Sequence, residues 1–229
     1  MSDLFSFDLS DGFVSGRCPI CYALAVDEGR WLDSFFREGR RDPDTRRSFY
    51  STGGFCASHA WLLHQLAVDA DAGSAVADVY GGLAAHDLSE MDALISGGTA
   101  RRRKGGGSVL HRLGECSACV AAADALERKV HFFLVLLGRE VGRERFEHSA
   151  GLCLIHLRAT IAANECDRET AFFLVRDWRR RVAAASERLA EFDPTRKPHH
   201  AGGGEDVRRP WTDIIRLYVG DPPARAPRA

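Results

Sequence analysis

This chain of 229 residues lacks long apolar runs, a large net charge and a basic N-terminus. No apolar run approaches the roughly 20 residues that a helix needs to cross a bilayer. The stretch from Met1 to Asp11 alternates acidic and aromatic residues and lacks the positively charged start of a secretory signal. The formal net charge is -1, so no global field draws the chain to nucleic acid or to an anionic membrane. We therefore expect a cytoplasmic protein whose partner is neither a membrane nor a nucleic acid, and a protein partner stays open.

Motifs of several enzyme classes are missing as well. The sequence has no Gly-rich phosphate loop after a strand, no nucleophile elbow and no paired-carboxylate helix motif. Strand-like runs are also missing, whereas large apolar residues such as Trp31, Phe35 and Phe36 recur at helical spacing after Pro19. With 45% apolar residues, the chain can bury a core without disulfides. These features predict an all-α protein, in which the first helix runs from about Pro19 to Arg40 and Asp167 caps a later helix.

Cysteines are few, but six of the seven belong to a repeated pattern. The pattern is C-x-x-C followed by G-x-C-x-x-H, and it occurs twice. The second copy follows the first by 98 residues at C-x-x-C and by 97 residues at the later Cys and His, so one deletion aligns all eight positions. We interpret the chain as two pseudo-repeated helical halves, in which every ligand pair lies at a helix N-terminus. The eight positions are Cys18, Cys21, Cys56, His59, Cys116, Cys119, Cys153 and His156.

Three thiols and one imidazole per half form a complete tetrahedral ligand set for one metal ion. In a reducing compartment, metal binding is favoured over a disulfide framework for such spacing. Zinc suits the set, and we expect two zinc ions per chain. Because a closed set leaves no position for water, the ions are expected to be structural and not hydrolytic. An iron-sulfur cluster with one histidine ligand, or redox-active thiols, stay open as alternatives.

The pairing of the ligands is a separate question. Cys18 and Cys21 can share an ion with Cys56 and His59 in the same half, or with Cys153 and His156 of the other half. We expect the arrangement within a half, because a crossed site must close a loop of over a hundred residues at extra entropic cost.

A Gly- and Arg-rich segment is expected to separate the halves. Its four consecutive basic residues, Arg101 to Lys104, are interpreted as part of a solvated tether. Together with the basic set from Arg176 to Arg181, they keep zinc-dependent nucleic-acid binding open as an alternative function. The predicted organisation is a flexible leader at 1–14, a first repeat at 15–95, the linker at 96–110, a second repeat at 111–220 and a disordered tail at 221–229.

Several conspicuous residues lie outside the repeated pattern. Cys166 has no counterpart in the first half and is expected to be a partly buried thiol outside the sites. Trp31, Trp61 and Trp178 follow helical spacing and are therefore expected in the core.

The motifs resemble those of a bacterial family of uncharacterised function, in which C-P-x-C and G-F-C-x-x-H-x-W precede a second C-x-x-C and G-L-C-x-x-H-L. The matching stretches are Cys18 to Cys21, Gly54 to Trp61, Cys116 to Cys119 and Gly151 to Leu157, and a closing segment from Glu205 to Gly220 adds to the likeness. The resemblance covers about residues 15 to 220, and the chain departs from it at Ser117, where proline is more typical. It implies a helical metal-site protein and brings no established activity.

Overall fold

A computed structural model of the chain describes residues 3–96, 115–191 and 210–221. These residues form ten α-helices and one 3-10 turn, with no strand among them, which confirms the all-α class. Most of the predicted linker and tail, including Arg101 to Lys104, lies outside the described residues. The helices are α1 (Asp3–Val14), α2 (Pro19–Arg37), α3 (Pro43–Ser51), α4 (Ala57–Asp69), α5 (Gly73–Ile95), α6 (Ser117–Leu137), α7 (Glu140–Glu147), α8 (Leu154–Ala162), α9 (Arg168–Ala190) and α10 (Pro210–Val219).

Local sequence signals fix the helix boundaries. The predicted helix from Pro19 is confirmed, since proline suits a first turn whose N–H is unbonded anyway. Asp167 was expected to cap the helix that follows it, and its carboxylate accepts a 2.6 Å hydrogen bond from the Thr170 backbone N–H at the start of α9. Asp42 caps α3 in the same way, through a 2.7 Å bond from Thr45 N–H.

The described residues divide into two compact units that differ from the predicted halves. Unit 1 comprises 3–24, 126–191 and 210–221, and unit 2 comprises 25–96 and 115–125. The prediction of a flexible leader at 1–14 is wrong, because this stretch contains α1. Leu9 is fully buried in the core of unit 1, and Phe13 packs against Phe133 and Phe146 at ring-centroid distances of 6.2 and 6.5 Å. The first residues therefore fold with the second half of the sequence.

A buried ion pair joins α1 to α6 within unit 1. Lys129 lies on α6, and its side chain is 0% exposed. Its Nζ lies 3.2 Å from Oδ2 of Asp8, which is also buried. Burying two charges is costly unless each has a close partner, so this contact constrains how α1 packs on the core.

Unit 2 is built around an aromatic cluster. Phe55 lies 4.8 Å from Phe35 and 4.9 Å from Phe49 between ring centroids, and Phe49 also meets Tyr80 at 5.5 Å in an edge-on arrangement. Such edge-to-face contacts are favoured by the ring quadrupoles. The cluster fixes the loop before Cys56 against the later turns of α2 and against α5.

The tryptophans divide between partly buried and exposed positions. Trp31 and Trp178 are partly buried against the two cores, whereas Trp61 on α4 is 67% exposed, so its predicted core position is wrong. Trp61 packs edge-on against His64 on the surface of the same helix. In the described part of the chain, no helix combines the length and the apolar character that a membrane crossing requires.

Candidate metal centres

The eight residues of the repeated pattern lie in two clusters. The first site consists of Cys18, Cys21, Cys153 and His156 and lies within unit 1; the second site consists of Cys56, His59, Cys116 and Cys119 and lies within unit 2. In each site the four ligand atoms all lie within 4.8 Å of one another. Every site residue that the repeat identified is therefore part of one of the two clusters.

The expected pairing within each half is wrong. The first site joins two residues at the start of α2 to two at the start of α8, and the second joins the start of α4 to the start of α6. Loop closure cannot decide the pairing, because lengthening a loop from 34 to 131 residues costs only about 1.2 kcal/mol. Helix packing within each unit outweighs that entropic cost. Within unit 2, His59 Nε2 lies 3.9 Å from Glu28 Oε1, and the other members of the His59 cluster are Cys56, Cys116 and Cys119.

Helix N-termini supply the ligands, as predicted. Cys56 and Cys153 are the N-cap residues of α4 and α8, with φ/ψ of -61°/164° and -72°/162°. Cys18 and Cys116 directly precede α2 and α6. Because the positive end of a helix dipole lies at its N-terminus, the arrangement stabilises thiolates.

A glycine with positive φ precedes each N-cap cysteine. Gly54 has φ +87° and Gly151 has φ +75°, a conformation that side chains disfavour. Arg181 packs directly on Gly151 and leaves no room there for a Cβ. Its guanidinium donates hydrogen bonds to the Ser149 carbonyl at 2.7 Å and the Glu147 carbonyl at 3.1 Å. Arg181 thus orders the loop that leads to Cys153.

The spacing of the ligand atoms matches a tetrahedral ion. With Zn–S near 2.3 Å and Zn–N near 2.0 Å, tetrahedral geometry requires about 3.8 Å between sulfurs and about 3.5 Å between sulfur and nitrogen. In the first site, His156 Nδ1 lies 3.5, 3.3 and 3.3 Å from the sulfurs of Cys18, Cys21 and Cys153, and the sulfurs of Cys21 and Cys153 are 3.9 Å apart. In the second site, His59 Nδ1 lies 3.2, 3.7 and 3.4 Å from the sulfurs of Cys56, Cys116 and Cys119, and the sulfurs of Cys56 and Cys119 are 3.7 Å apart.

The thiols are not disulfide-bonded. A disulfide brings its sulfurs to about 2.05 Å, whereas the sulfur pairs given above are separated by nearly twice that distance. All seven cysteines of the chain are free. Cys166 lies outside both sites, as expected, and burial raises the pKa of its thiol.

The pKa of each N-cap cysteine is lowered. The pKa of Cys153 is lowered by hydrogen bonds from Cys18 and Cys21, and His156 adds to this effect. Burial alone would raise the pKa of Cys56. Hydrogen bonds with the His59 backbone, the His59 ring and the Cys119 thiol together have the larger effect and lower this pKa to about 7. Burial and Cys56 raise the pKa of Cys119 to about 12. A bound cation would replace the protons of the hydrogen bonds among these side chains and would hold all three thiols of a site as thiolates.

The end of α10 covers the first site, a role that sequence analysis did not identify. Gly220 follows α10 with φ +83°, and a Cβ on it would lie 2.9 Å from Cys21 Sγ and 3.4 Å from Cys153 Sγ. Asp221 accepts a 3.1 Å hydrogen bond from Cys18 N–H through Oδ2. Trp178 holds α10 against α9, since its Nε1 donates to the Leu217 carbonyl at 3.3 Å. The available sequence signal for this contact was a glycine directly after a helical apolar pattern.

Gly220→Ala should weaken metal binding at the first site by about 10- to 100-fold, the range typical of damage to the surroundings of a ligand set. The new methyl group would contact Cys21 Sγ and require a strained φ. Competitive titration with a chelating dye should show one weakened ion and one unchanged ion. Gly81→Ala in α5 is the matched control, because a Cβ there meets no atom within 4 Å. Two ions with wild-type affinity in Gly220→Ala would contradict the assigned contact.

The second site has a carboxylate beside its histidine. His59 directs Nδ1 at the sulfurs, and its Nε2 lies 3.9 Å from Oε1 of Glu28. Burial raises the pKa of Glu28, and the charge of His59 partly opposes that shift. A carboxylate on the outer nitrogen of a ligand histidine orients the ring and increases its basicity. Cys119, by contrast, is exposed to solvent.

A cavity of about 400 Å³ adjoins the first site within unit 1. Its wall includes Cys18 and Cys153 together with five arginines. Two of them, Arg180 and Arg181, share the buried carboxylate of Asp177, which reduces the free positive charge of the basic set predicted on α9. Arg17 and Arg216 lie beside Asp221, and Arg188 lies beside Asp213, so the cavity wall is largely composed of paired charges.

Comparison with known proteins gave no match, whether to family models, to curated proteins or to solved structures. The assignment of the two centres therefore depends on their own geometry.

Proposed function

We propose that this chain is a metal-binding helical scaffold or interaction module in which two zinc ions stabilise the two compact units. The observation that carries the proposal is the pair of ligand sets, each with three thiols and one imidazole at tetrahedral spacing. Such a set satisfies zinc completely and leaves no position for a reactive water. The eight residues would hold the ions, and the role of the ions would be structural.

The donor spacing supports a single ion more than an iron-sulfur cluster. Ligands of a cluster bind different iron atoms and must therefore be further apart than ligands that converge on one ion. All four donor atoms of either site lie within 4.8 Å of one another. The redox alternative nevertheless makes a distinct prediction, since iron would give the purified protein a brown colour and charge-transfer absorption.

Metal analysis tests the proposal directly. We expect about two zinc ions per wild-type chain and about one in each of His59→Ala and His156→Ala, because each histidine belongs to a different site. His131→Ala is the control, since His131 is exposed, lies outside both sites and should leave two ions in place. Anaerobic purification followed by absorption spectroscopy should show no iron bands. Protein that carries no zinc, or iron in its place, would contradict the assignment.

A further inference from the structure

The two sites differ in how far their sulfurs are covered. In the first site, Cys18 is 5% exposed, Cys153 is 2% exposed and His156 is 8% exposed, and Cys21 is partly buried. Gly220 lies directly against the sulfurs of Cys21 and Cys153. The neighbouring cavity contacts Cys18 and Cys153, but their low exposure shows that little of their surface is open to it. None of the first site's cysteines is exposed as Cys119 is in the second, and the end of α10 limits the approach to the sulfurs of Cys21 and Cys153.

The second site is open on one side. His59 and Cys116 are each 8% exposed, but Cys56 is only partly buried and Cys119 is exposed. These last two cysteines have sulfurs 3.7 Å apart, so they form one edge of the ligand set. Two of the three thiolates of this site can thus be approached from solvent without any movement of a helix.

Access to a thiolate controls how a closed metal site exchanges its ion. A closed site has no vacant position, so an incoming thiolate or chelator must replace the protein ligands one at a time, and the most accessible ligand leaves first. In the second site that ligand is Cys119. His59 is better placed to stay, because it is buried and lies next to Glu28.

We propose that the second site is an exchangeable metal site, which gives its ion to external thiolate or chelating acceptors through Cys119, whereas the first site retains its ion. The inference rests on the proposed metal binding and adds to it a division of roles. The acceptor class is a soft, sulfur- or nitrogen-bearing ligand, because only such ligands compete with thiolates for this type of ion.

Cys119 should also be the first zinc-bound thiolate to react with a soft electrophile. With iodoacetamide, a bond forms between Cys119 sulfur and the methylene carbon while the carbon–iodine bond breaks and iodide leaves. The resulting thioether is a much poorer zinc ligand than a thiolate, because it carries no charge. Alkylation of this one residue should therefore release one ion from the chain.

The test is the time course of zinc release from fully loaded protein to 4-(2-pyridylazo)resorcinol. We expect two phases of one ion each, the second slower by at least about tenfold. His59→Ala should lack the fast phase, and His156→Ala should lack the slow phase. Glu28→Gln, which keeps all eight ligands, should accelerate only the fast phase, and Gly220→Ala should accelerate only the slow one.

Peptide mapping after brief exposure to iodoacetamide provides a second measurement. Among the six cysteines of the two sites, we expect Cys119 to be modified first and Cys18 and Cys153 last; Cys166, which belongs to neither site, is scored separately. Release of both ions in one phase, or modification of Cys18 as early as Cys119, would overturn the division of roles even if two zinc ions are present. Protein without zinc would instead overturn the proposed function, so the two failures can be told apart.

Discussion

Removal of both ions by a strong chelator should lower the melting temperature of the protein by roughly 10–20 °C. Structural zinc sites contribute roughly 10 to 16 kcal/mol in small peptides at neutral pH, whereas whole domains are stable by only about 5 to 15 kcal/mol. The melting temperature of a chain of this size changes by about 2–4 °C per kcal/mol of stability. The expected shift therefore corresponds to about 5 kcal/mol of that contribution appearing as net stability. The helix starts at Cys18, Cys56, Cys116 and Cys153 should loosen first.

Circular dichroism and thermal melting with and without chelator measure this effect. Some helix should survive, since both units have apolar cores apart from the ions. Metal loss should become easier as pH falls, because protons compete for the thiolates and imidazoles. Cys166→Ala is the control and should show the same shift as wild type, because Cys166 belongs to neither site. If the chelator removes the metal and the melting curve does not move, the ions are not structural.

Lys129→Met should reduce the free energy of unfolding by roughly 3–5 kcal/mol, the cost of breaking a buried ion pair by removing one partner. The ammonium of Lys129 lies 3.2 Å from the Asp8 carboxylate in the core of unit 1. Methionine fills a similar volume, so the loss would come mainly from the charge that remains on Asp8. Urea denaturation of the metal-loaded protein measures the change.

A double-mutant cycle separates the pair from simple packing. Adding Asp8→Asn to Lys129→Met should recover part of the lost stability, because a neutral amide costs less to bury than a carboxylate. Arg37→Met is the matched control, since Arg37 and Asp33 form an exposed 2.9 Å pair on α2, and exposed pairs contribute at most about 1 kcal/mol. Wild-type stability in Lys129→Met would show that the buried pair does not hold α1 in place.

The sequence was sufficient to predict which eight residues cluster and that they lie at helix starts. A repeat that aligns Cys56 with Cys153 and His59 with His156 identifies candidate ligands without any knowledge of packing. The positive-φ glycines before the N-cap cysteines follow from the same motif. Local rules also identified Asp167 as a cap, because capping depends on only the next three residues.

Other features depend on packing between distant segments and were not predictable. The pairing of the candidate ligands is decided by which helix starts pack together within each unit. A difference in loop-closure entropy of about 1 kcal/mol cannot decide it. Leu9 and Phe13 gave no clear helical pattern among acidic neighbours, so α1 was interpreted as a flexible leader. Lys129 resembles a surface residue in the sequence, since burial of lysine requires a partner such as Asp8 that is 121 residues away.

The crossed ligand sets are nested along the chain, with the second site entirely between the two halves of the first. During synthesis on the ribosome, Cys18 and Cys21 emerge early and must wait for Cys153 and His156. The first complete set of three thiols and one imidazole to emerge combines them with Cys56 and His59, which is the arrangement that the folded protein does not use. At about 5–20 residues per second, the 60 residues from His59 to Cys119 take about 3–12 s to make. The nascent chain therefore passes through a period in which this other set of four residues is available before either cluster of the folded protein is complete. Any metal bound during that period would have to be released for the folded arrangement to form.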